Sequence, residues 1–376
     1  MSRKALIIGG GIGGLAAAVG LTNIGVEVEL FERAEELGEV GAGLSLWANA
    51  IRALEAIGSG DVVAPISITG QTGGIRSVDG ALLARFTDGM GPGQALTVAV
   101  HRAELHSGLL RLLDPARLHR GKAFVSFTQD GAGVTAHFAD GTSAHGDLLI
   151  GADGIRSRVR AQLHGDTPPV YAGYTAWRAV VPFDQARLLP GETWGRGTRF
   201  GQVPLSDGRV YWFATANTPA GGRSPDGERA ELLRHFGDWH APIPELIAAT
   251  PEATILRHDI YDRPPLRRWG EGLVTLLGDA AHPMTPNLGQ GACQALEDAA
   301  VLARCLAETS DVAEALRRYE GLRTARTASI VQRSRQLGAM GQWANPLAVA
   351  LRNWLLRQLP PAAQERQIAQ VVNYQF

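Results

Sequence analysis

Hydrophobic positions along the first thirty residues fall into three blocks of different character. Ala5 to Ile8 form a continuous apolar run, Leu15 to Leu21 are small and apolar, and Val26 to Phe31 form a second run, with a glycine cluster after the first. That order predicts strand, turn, helix and strand, the βαβ unit of a parallel sheet. Further on, Thr97 to Val100 predicts a short strand and Arg102 to Leu113 a helix. Phe124 to Phe127 and Val134 to Phe138 flank glycine-containing turns as a meander does, and the Asp140 and Gly141 pair predicts another hairpin before Asp147 to Ile150. From about Tyr171 to Leu266 the pattern turns to aromatic strands, notably Arg199 to Val203 and Arg209 to Thr215 around Asp207 and Gly208. Buried-strand character returns at Leu273 to Leu277, and from Gly291 onward Ala, Leu, Arg and Glu predict long helices.

Composition narrows the class. With 376 residues, 45% of them hydrophobic and 19% charged, the chain is long enough for a large core, and at about 150 residues per domain it predicts two or three structural units. The 36 basic residues nearly balance the 37 acidic ones, so the balance points to neither a nucleic acid nor an anionic membrane as partner. Cys293 and Cys305 are placed on one helix, roughly 18 Å apart along its axis, beyond disulfide reach; a reducing, cytoplasmic location is expected. The opening MSRKALIIGGG runs at once into a strand, so no signal peptide and no transmembrane segment is expected there. The late apolar stretch from Trp343 to Leu359 is interrupted by Arg352 and Arg357 and predicts a packed amphipathic helix in preference to a membrane span or an interfacial anchor.

Gly9, Gly11 and Gly14 form GxGxxG between the first strand and the first helix. The first glycine allows the tight turn, the second admits a pyrophosphate at the positive helix end, and the third allows close packing of helix on strand. Glu32, 18 residues past Gly14, closes the second strand where a carboxylate accepts hydrogen bonds from ribose hydroxyls. A dinucleotide site follows, with NAD and FAD both open at this point.

Two later motifs decide between them. GADGIRSRVR, from Gly151 to Arg160, and GDAAHPMTPNLGQG, from Gly278 to Gly291, resemble the single-component flavoprotein aromatic hydroxylases, the class A flavin monooxygenases, whose salicylate-type hydroxylases, urate hydroxylase and zeaxanthin epoxidase are the nearest in pattern. GAGLSLWANA and HRAELHSGLL extend the resemblance over nearly the whole chain. It implies bound FAD, transient NADH or NADPH, and O2 that adds at C4a of the reduced flavin before transfer to an electron-rich aromatic, N-heteroaromatic or polyene small molecule. Hydroxylation and epoxidation are both within that chemistry. The cofactor residues it implies, besides the glycines and Glu32, are Arg33, Gly43, Arg102, Asp153, Asp279, Gly289, Gln290 and Gly291, with Asp279 on the ribityl chain. In the residues' own terms, Gly289 to Gly291 open a helix whose free N–H groups stabilise negative charge on a reduced flavin. Ser157 and Arg160 are placed to cap and brace the Asp153 turn, and His282 is read as packing.

The resemblance also implies a fold: an α/β protein with a Rossmann-like FAD-binding domain (1–70, 98–168 and 270–310), an inserted antiparallel substrate sheet (71–97 and 169–269) and a helical C-terminal part (311–376). Pro286 is expected beside the reaction site, Arg199 and Tyr211 as its polar pair, and Trp47, Trp177 and Phe213 around the substrate. A two-residue turn at Asp207 and Gly208 sets Arg199 near Ala216 and on the opposite face from Tyr211, so a longer turn is required if both face the pocket. Where the urate-hydroxylating branch has an acidic residue after the motif proline, this chain has Asn287. No His or Cys cluster has metal spacing, so no metal is expected. Flavin halogenases share this fold, but neither Lys4 nor Lys122 is placed as their active-site lysine and no WxWxIP segment occurs. The alternatives are a flavin-dependent reductase of isoprenoid double bonds and a flavin-binding protein without turnover. A monomer or a homodimer is expected.

Overall fold

The apolar blocks of the first thirty residues fold as strand Lys4–Ile8, helix Ile12–Asn23 and strand Glu27–Phe31, the two strands pairing in parallel from Lys4 opposite Glu27 to Ile8 opposite Phe31. In the computed structural model, which describes residues 3–38, 42–66, 73–86, 97–358, 360 and 368–375, these strands sit in a five-stranded sheet. Its order is Val274–Leu276, Leu148–Gly151, Lys4–Ile8, Glu27–Phe31, Leu118–His119. Strands buried on both faces read as unbroken apolar runs, as Ala5 to Ile8 and Leu148 to Ile150 do, whereas Glu27 and Glu29 are half-buried on the second strand. Helix Ile12–Asn23 packs with helix Gly291–Glu308, and the meander of Phe124–Asp130, Gly133–Phe138 and Ser143–Gly146 contributes Phe127, Ala136 and Phe138 to the same core.

The aromatic region forms a second sheet of seven strands: Leu256–Asp262, Val170–Pro182, Arg209–Ala216, Thr198–Pro204, Gly191–Trp194, Gly73–Arg76 and Leu82–Phe86. It is antiparallel except where Gly191–Trp194 runs parallel to Gly73–Arg76. One face, carrying Trp177, Phe200 and Trp212, is covered by helices Glu228–Phe236 and Ile243–Ala249. The other face carries Tyr211, against which Gly43 of strand Gly43–Trp47 is packed. Helix Val312–Gly341 joins the two regions: Ala315, Leu316 and Tyr319 lie in the core of the first, while Leu337 and Met340 pack with Trp194 of the second. The boundary expected at 70/71 lies outside the described residues.

Register corrects one expectation. Arg199 pairs with Thr215, not Ala216, because Leu205 and Arg209 close the hairpin over a three-residue loop, Ser206 to Gly208. One added loop residue inverts the face of every side chain on the strand. Arg199 therefore shares a face with Tyr211 and Phe213.

Candidate active site

The glycine loop is built as its spacing requires. Gly9 has φ +112°, and a Cβ there would stand 2.4 Å from the Ala152 carbonyl oxygen; one at Gly14 would stand 2.0 Å from the oxygen of Gly9. A Cβ on Gly11 would meet nothing within 4 Å, so the backbone at the helix start is open to a ligand. Helix Ile12–Asn23 has no side-chain cap, which leaves its first N–H groups available to an anion. Glu32 accepts from the Gly10 N–H (2.8 Å) and the Ala34 N–H (2.9 Å) and so holds the loop against the end of the second strand, with the exposed Arg33 beside it. His106, buried on helix Arg102–Leu110, donates from Nε2 to the Gly10 carbonyl at 2.7 Å.

Asp153 lies just past the end of strand Leu148–Gly151 of the parallel sheet. Its Oδ2 accepts from the N–H groups of Arg158 (2.7 Å) and Val159, while Oδ1 is buried without a hydrogen-bond partner among the described residues. Burial pushes its carboxyl above the usual range, against the pull of Ser157 and those amides. Ser157 caps helix Arg158–His164 through the Arg160 N–H, and the Arg160 guanidinium donates to the carbonyls of Ala280 (3.1 Å) and Ala281 (3.0 Å). The two family motifs are thereby clamped together, and Asp279 is presented between them. Asp279 is exposed to solvent at this turn. Desolvation raises its pKa, with His282 and Arg102 pulling the other way. His282 itself is buried against Asp298 at 2.6 Å.

Gly289 adopts the left-handed conformation (φ +61°) after the turn Pro286–Leu288, and Gln290 precedes helix Gly291–Glu308. Gln290 is buried, with Oε1 accepting from Asn49 and Gln294 and Nε2 without a partner among the described residues. Trp47 stands beside Gly289, its buried indole N–H likewise unpartnered. The open Gly11 backbone, the unpartnered Asp153 Oδ1, Gln290 Nε2 and Trp47 N–H, and an accessible Asp279 fit a bound FAD extending from the glycine loop to the Gly289 turn.

Facing this cradle is the free side of the aromatic sheet. Pairing of Arg178 with Phe213, Val180 with Tyr211 and Ala176 with His258 puts Arg178, Tyr211, Phe213 and His258 on one face. The exposed Arg102, at the start of its helix, is close enough for its charge to act on Tyr211, His258 and Asp279 alike. Burial raises the Tyr211 hydroxyl pKa while Arg178 and Arg102 draw it down, and the His258 imidazole is lowered by burial and by the same two arginines. Arg178 and His258 were not singled out from the sequence; only the register with neighbouring strands reveals them.

Several expected residues sit differently. Trp177 is on the covered face, fully buried, its indole donating to Glu228 at 2.6 Å; the strand alternation that exposes Arg178 to the cleft turns its neighbour away. Gly43 is pressed against Tyr211: a Cβ there would lie 2.2 Å from the phenol ring. Its smallness serves the tyrosine's placement. Arg199 is only 2% exposed, closed in behind the Pro286 turn, with Nη2 donating to Asn287 Oδ1 at 2.6 Å and Nη1 3.6 Å from Glu192. Tyr174 also donates to Asn287, and Asn287 Nδ2 donates to Thr285 Oγ1 (2.8 Å) and the Ser334 carbonyl (3.0 Å). Beside Asn287 opens a cavity of ≈ 370 Å³ bounded in part by Tyr171, Tyr174, Asp262 and Arg335. Pro286 itself is exposed at the start of its turn.

Comparison with known proteins finds similarity over most of the chain. The family described as an FAD binding domain matches residues 2–334. The aurachin C monooxygenase/isomerase of Stigmatella aurantiaca is 44% identical over 358 residues, 94% of each chain. The FAD-dependent urate hydroxylase of Klebsiella pneumoniae subsp. pneumoniae is 39% identical over 344 residues, 89% of each chain. The crystal structure of Klebsiella pneumoniae HpxO with FAD and uric acid superposes with a TM-score of 0.91 at 35% identity, covering 99% of this chain and 96% of that one.

Proposed function

This chain belongs to the FAD-binding-domain family of FAD-dependent monooxygenases, and from that premise we propose that it uses NADH or NADPH and O2, in the cytosol, to oxygenate an electron-rich aromatic or N-heteroaromatic small molecule. The observation that carries this reading is strand Gly43–Trp47, which meets Tyr211 of the aromatic sheet through Gly43 and the Gly289 turn through Trp47. Bound FAD supplies the hydride acceptance and oxygen activation. The residues do the rest. Gly11 and the first helix turn bind the pyrophosphate, and Glu32 binds the ribose. Asp279 would hold the ribityl chain, and the N–H groups after Gln290 would stabilise negative charge on the reduced cofactor. Asp153 serves both FAD and the transient nicotinamide.

Tyr211 and Phe213 stack against a planar substrate, and Arg178 with Arg102 makes the wall electropositive, which favours a ring carrying an acidic or enolisable oxygen. Arg199 acts as a positioning residue, because its guanidinium reaches Asn287 of the Pro286 turn and is closed off from the cleft. The test is turnover of a panel of phenols, hydroxyquinolines and purines with NADH and NADPH under labelled O2. The reading requires substrate-stimulated reductant loss and a product carrying one labelled oxygen atom. Hydrogenated product without label would instead assign a double-bond reductase.

A further inference from the structure

The helix Pro346–Gln358 is attached to the protein by one side only. Arg352 on that side is fully buried, its Nη2 donating to the Gly195 carbonyl at 3.0 Å and its guanidinium 5.4 Å from the Trp194 ring centre. Leu356 packs with Trp194, Ile75 and Leu83. A helix anchored this way ordinarily turns polar residues outward. Here the outward side is apolar: Leu347 is 80% exposed, Trp354 56%, Leu351 53% and Leu355 46%. Their spacing of i, i+4, i+7 and i+8 confines them to an arc of about 100°. Five of the thirteen exposed large hydrophobic residues among the described ones fall between Trp343 and Leu355, and the rest are scattered. Clustering of this kind marks a contact surface.

Charge identifies what the surface meets. Between Trp343 and Gln358 the charged residues are Arg352 and Arg357, with no Asp or Glu. Arg357 is exposed in the last turn, and the exposed Arg196 sits at the other end, its Nε donating to the Ala344 carbonyl at 3.3 Å. Asp79 lies within electrostatic reach of Arg357 and is the acid that tempers this end. No helix among the described residues is long and apolar enough to cross a membrane, so an apolar stripe with a tryptophan and a cation at each end suits the bilayer interface instead. We propose that this helix lies on an anionic lipid surface, with Leu347, Leu351, Trp354 and Leu355 at the boundary of headgroups and acyl chains and Arg196 and Arg357 at the lipid phosphates. The sequence favours packing over interfacial anchoring for this segment; the helix packs by one side, and lipid contact by the other reverses that preference. This proposal does not depend on the substrate.

The experiment is co-sedimentation of the FAD-loaded protein with vesicles of equal parts phosphatidylglycerol and phosphatidylcholine, and with phosphatidylcholine alone. The protein is expected to bind the mixed vesicles, and binding is expected to weaken with salt. Leu351→Glu/Trp354→Glu is expected to lower the bound fraction at least about tenfold while flavin absorbance is unchanged. Leu347→Glu, at a position too exposed for folding to depend on it, is expected to lower binding in the same direction. A wild-type protein that stays in the supernatant overturns the proposal, as does binding unaffected by Leu347→Glu. A wild-type dimer that Leu347→Glu converts to monomer also overturns it and assigns the face to a second copy of the chain.

Discussion

Arg199 and Asn287 meet at 2.6 Å, guanidinium Nη2 to amide Oδ1, and this bond ties the middle of the aromatic sheet to the turn that begins with Pro286. The link is buried, and Asn287 hands it on to Thr285 and to Ser334 of the long helix. Removing Asn287 takes from the nearly inaccessible Arg199 its closest acceptor, and removing Arg199 leaves Asn287 Oδ1 only the 3.3 Å bond from Tyr174, so each change to Ala is expected to cost about 1–3 kcal/mol. Their effects are expected to be non-additive by at least about 0.5 kcal/mol, since the second change removes what the first already broke. Denaturant unfolding of the four proteins measures this; simple additivity would show that the contact carries no coupling. In turnover, Arg199→Ala is expected to oxidise NAD(P)H with more H2O2 and less product, as a displaced turn misplaces substrate.

Gly43 and Tyr211 give a second prediction. The ring already occupies the space of a Cβ, so Gly43→Ala is an overpacking change, expected to cost about 1–3 kcal/mol and to push Tyr211 toward the cleft. FAD content should remain near wild type while the ratio of product to NAD(P)H consumed falls. An unchanged ratio would remove Tyr211 from the substrate wall.

The glycine loop and the parallel sheet were legible in the sequence because a βαβ unit imposes local spacing, and Gly14 and Glu32 each answer to a neighbour within that unit, Gly9 and Gly10. What was not legible depends on counting between distant strands. One loop residue at Ser206 decides whether Arg199 joins Tyr211, and no local pattern reports it. Trp177, Tyr211 and Phe213 are alike as aromatic strand residues, and register alone sends the first to the covered face. Arg178 and His258 converge only through strand Leu256–Asp262, some eighty residues later in the chain.

Glu32 holds the loop through two backbone N–H groups and is placed to meet a ribose as well. Glu32→Ala is expected to weaken FAD binding by about 10- to 100-fold, the scale of a hydrogen bond to a charged group, and Glu32→Gln by less. Titration of the apoprotein followed by flavin fluorescence checks this. Equal affinity in wild type and Glu32→Ala would place the ribose elsewhere.

Asp279 has a pKa raised by desolvation, as does Asp153. For such a group the folded state favours the neutral acid, so its contribution is present below the ordinary carboxylate pKa and is lost as pH rises through the folded value. At pH 7 the ionised Asp279 is a cost to the apoprotein. Asp279→Asn is therefore expected to raise the Tm of the FAD-free protein slightly while weakening FAD retention, a trade of stability for function. A Tm that falls in the FAD-free variant would contradict the environment assigned to this carboxylate.

Beneath the Asp279 turn the opposite electrostatic case is found, and it carries the largest stability prediction. Asp298 is fully buried; Oδ2 accepts from the Gly278 N–H (2.9 Å) and His282 Nε2 (2.6 Å), and Oδ1 from Arg323 Nε at 2.7 Å. Glu297 beside it is bound by Arg323 and, at 2.7 Å, by Arg326, while its Oε1 accepts from Asn49, whose amide also reaches Gln290. Burial alone would raise both carboxyl pKa values. His282 and Arg323 overcome it at Asp298, and Arg326 and Arg323 at Glu297, so both are lowered. A depressed carboxylate stabilises the fold above its unfolded pKa, near 4, and that stability is lost as pH falls through the folded value. Asp298→Ala leaves the buried Arg323 short of a counter-charge and the Gly278 N–H without an acceptor, which should cost about 3–5 kcal/mol. Because Gly278 precedes Asp279, FAD retention should fall with it. Asp298→Asn keeps the shape and removes the charge, so its stability should decline less steeply than wild type on acidification below pH 4. Urea unfolding between pH 3 and pH 7 reads the slope directly, and identical slopes in wild type and Asp298→Asn would show that this carboxylate does not link folding to protons.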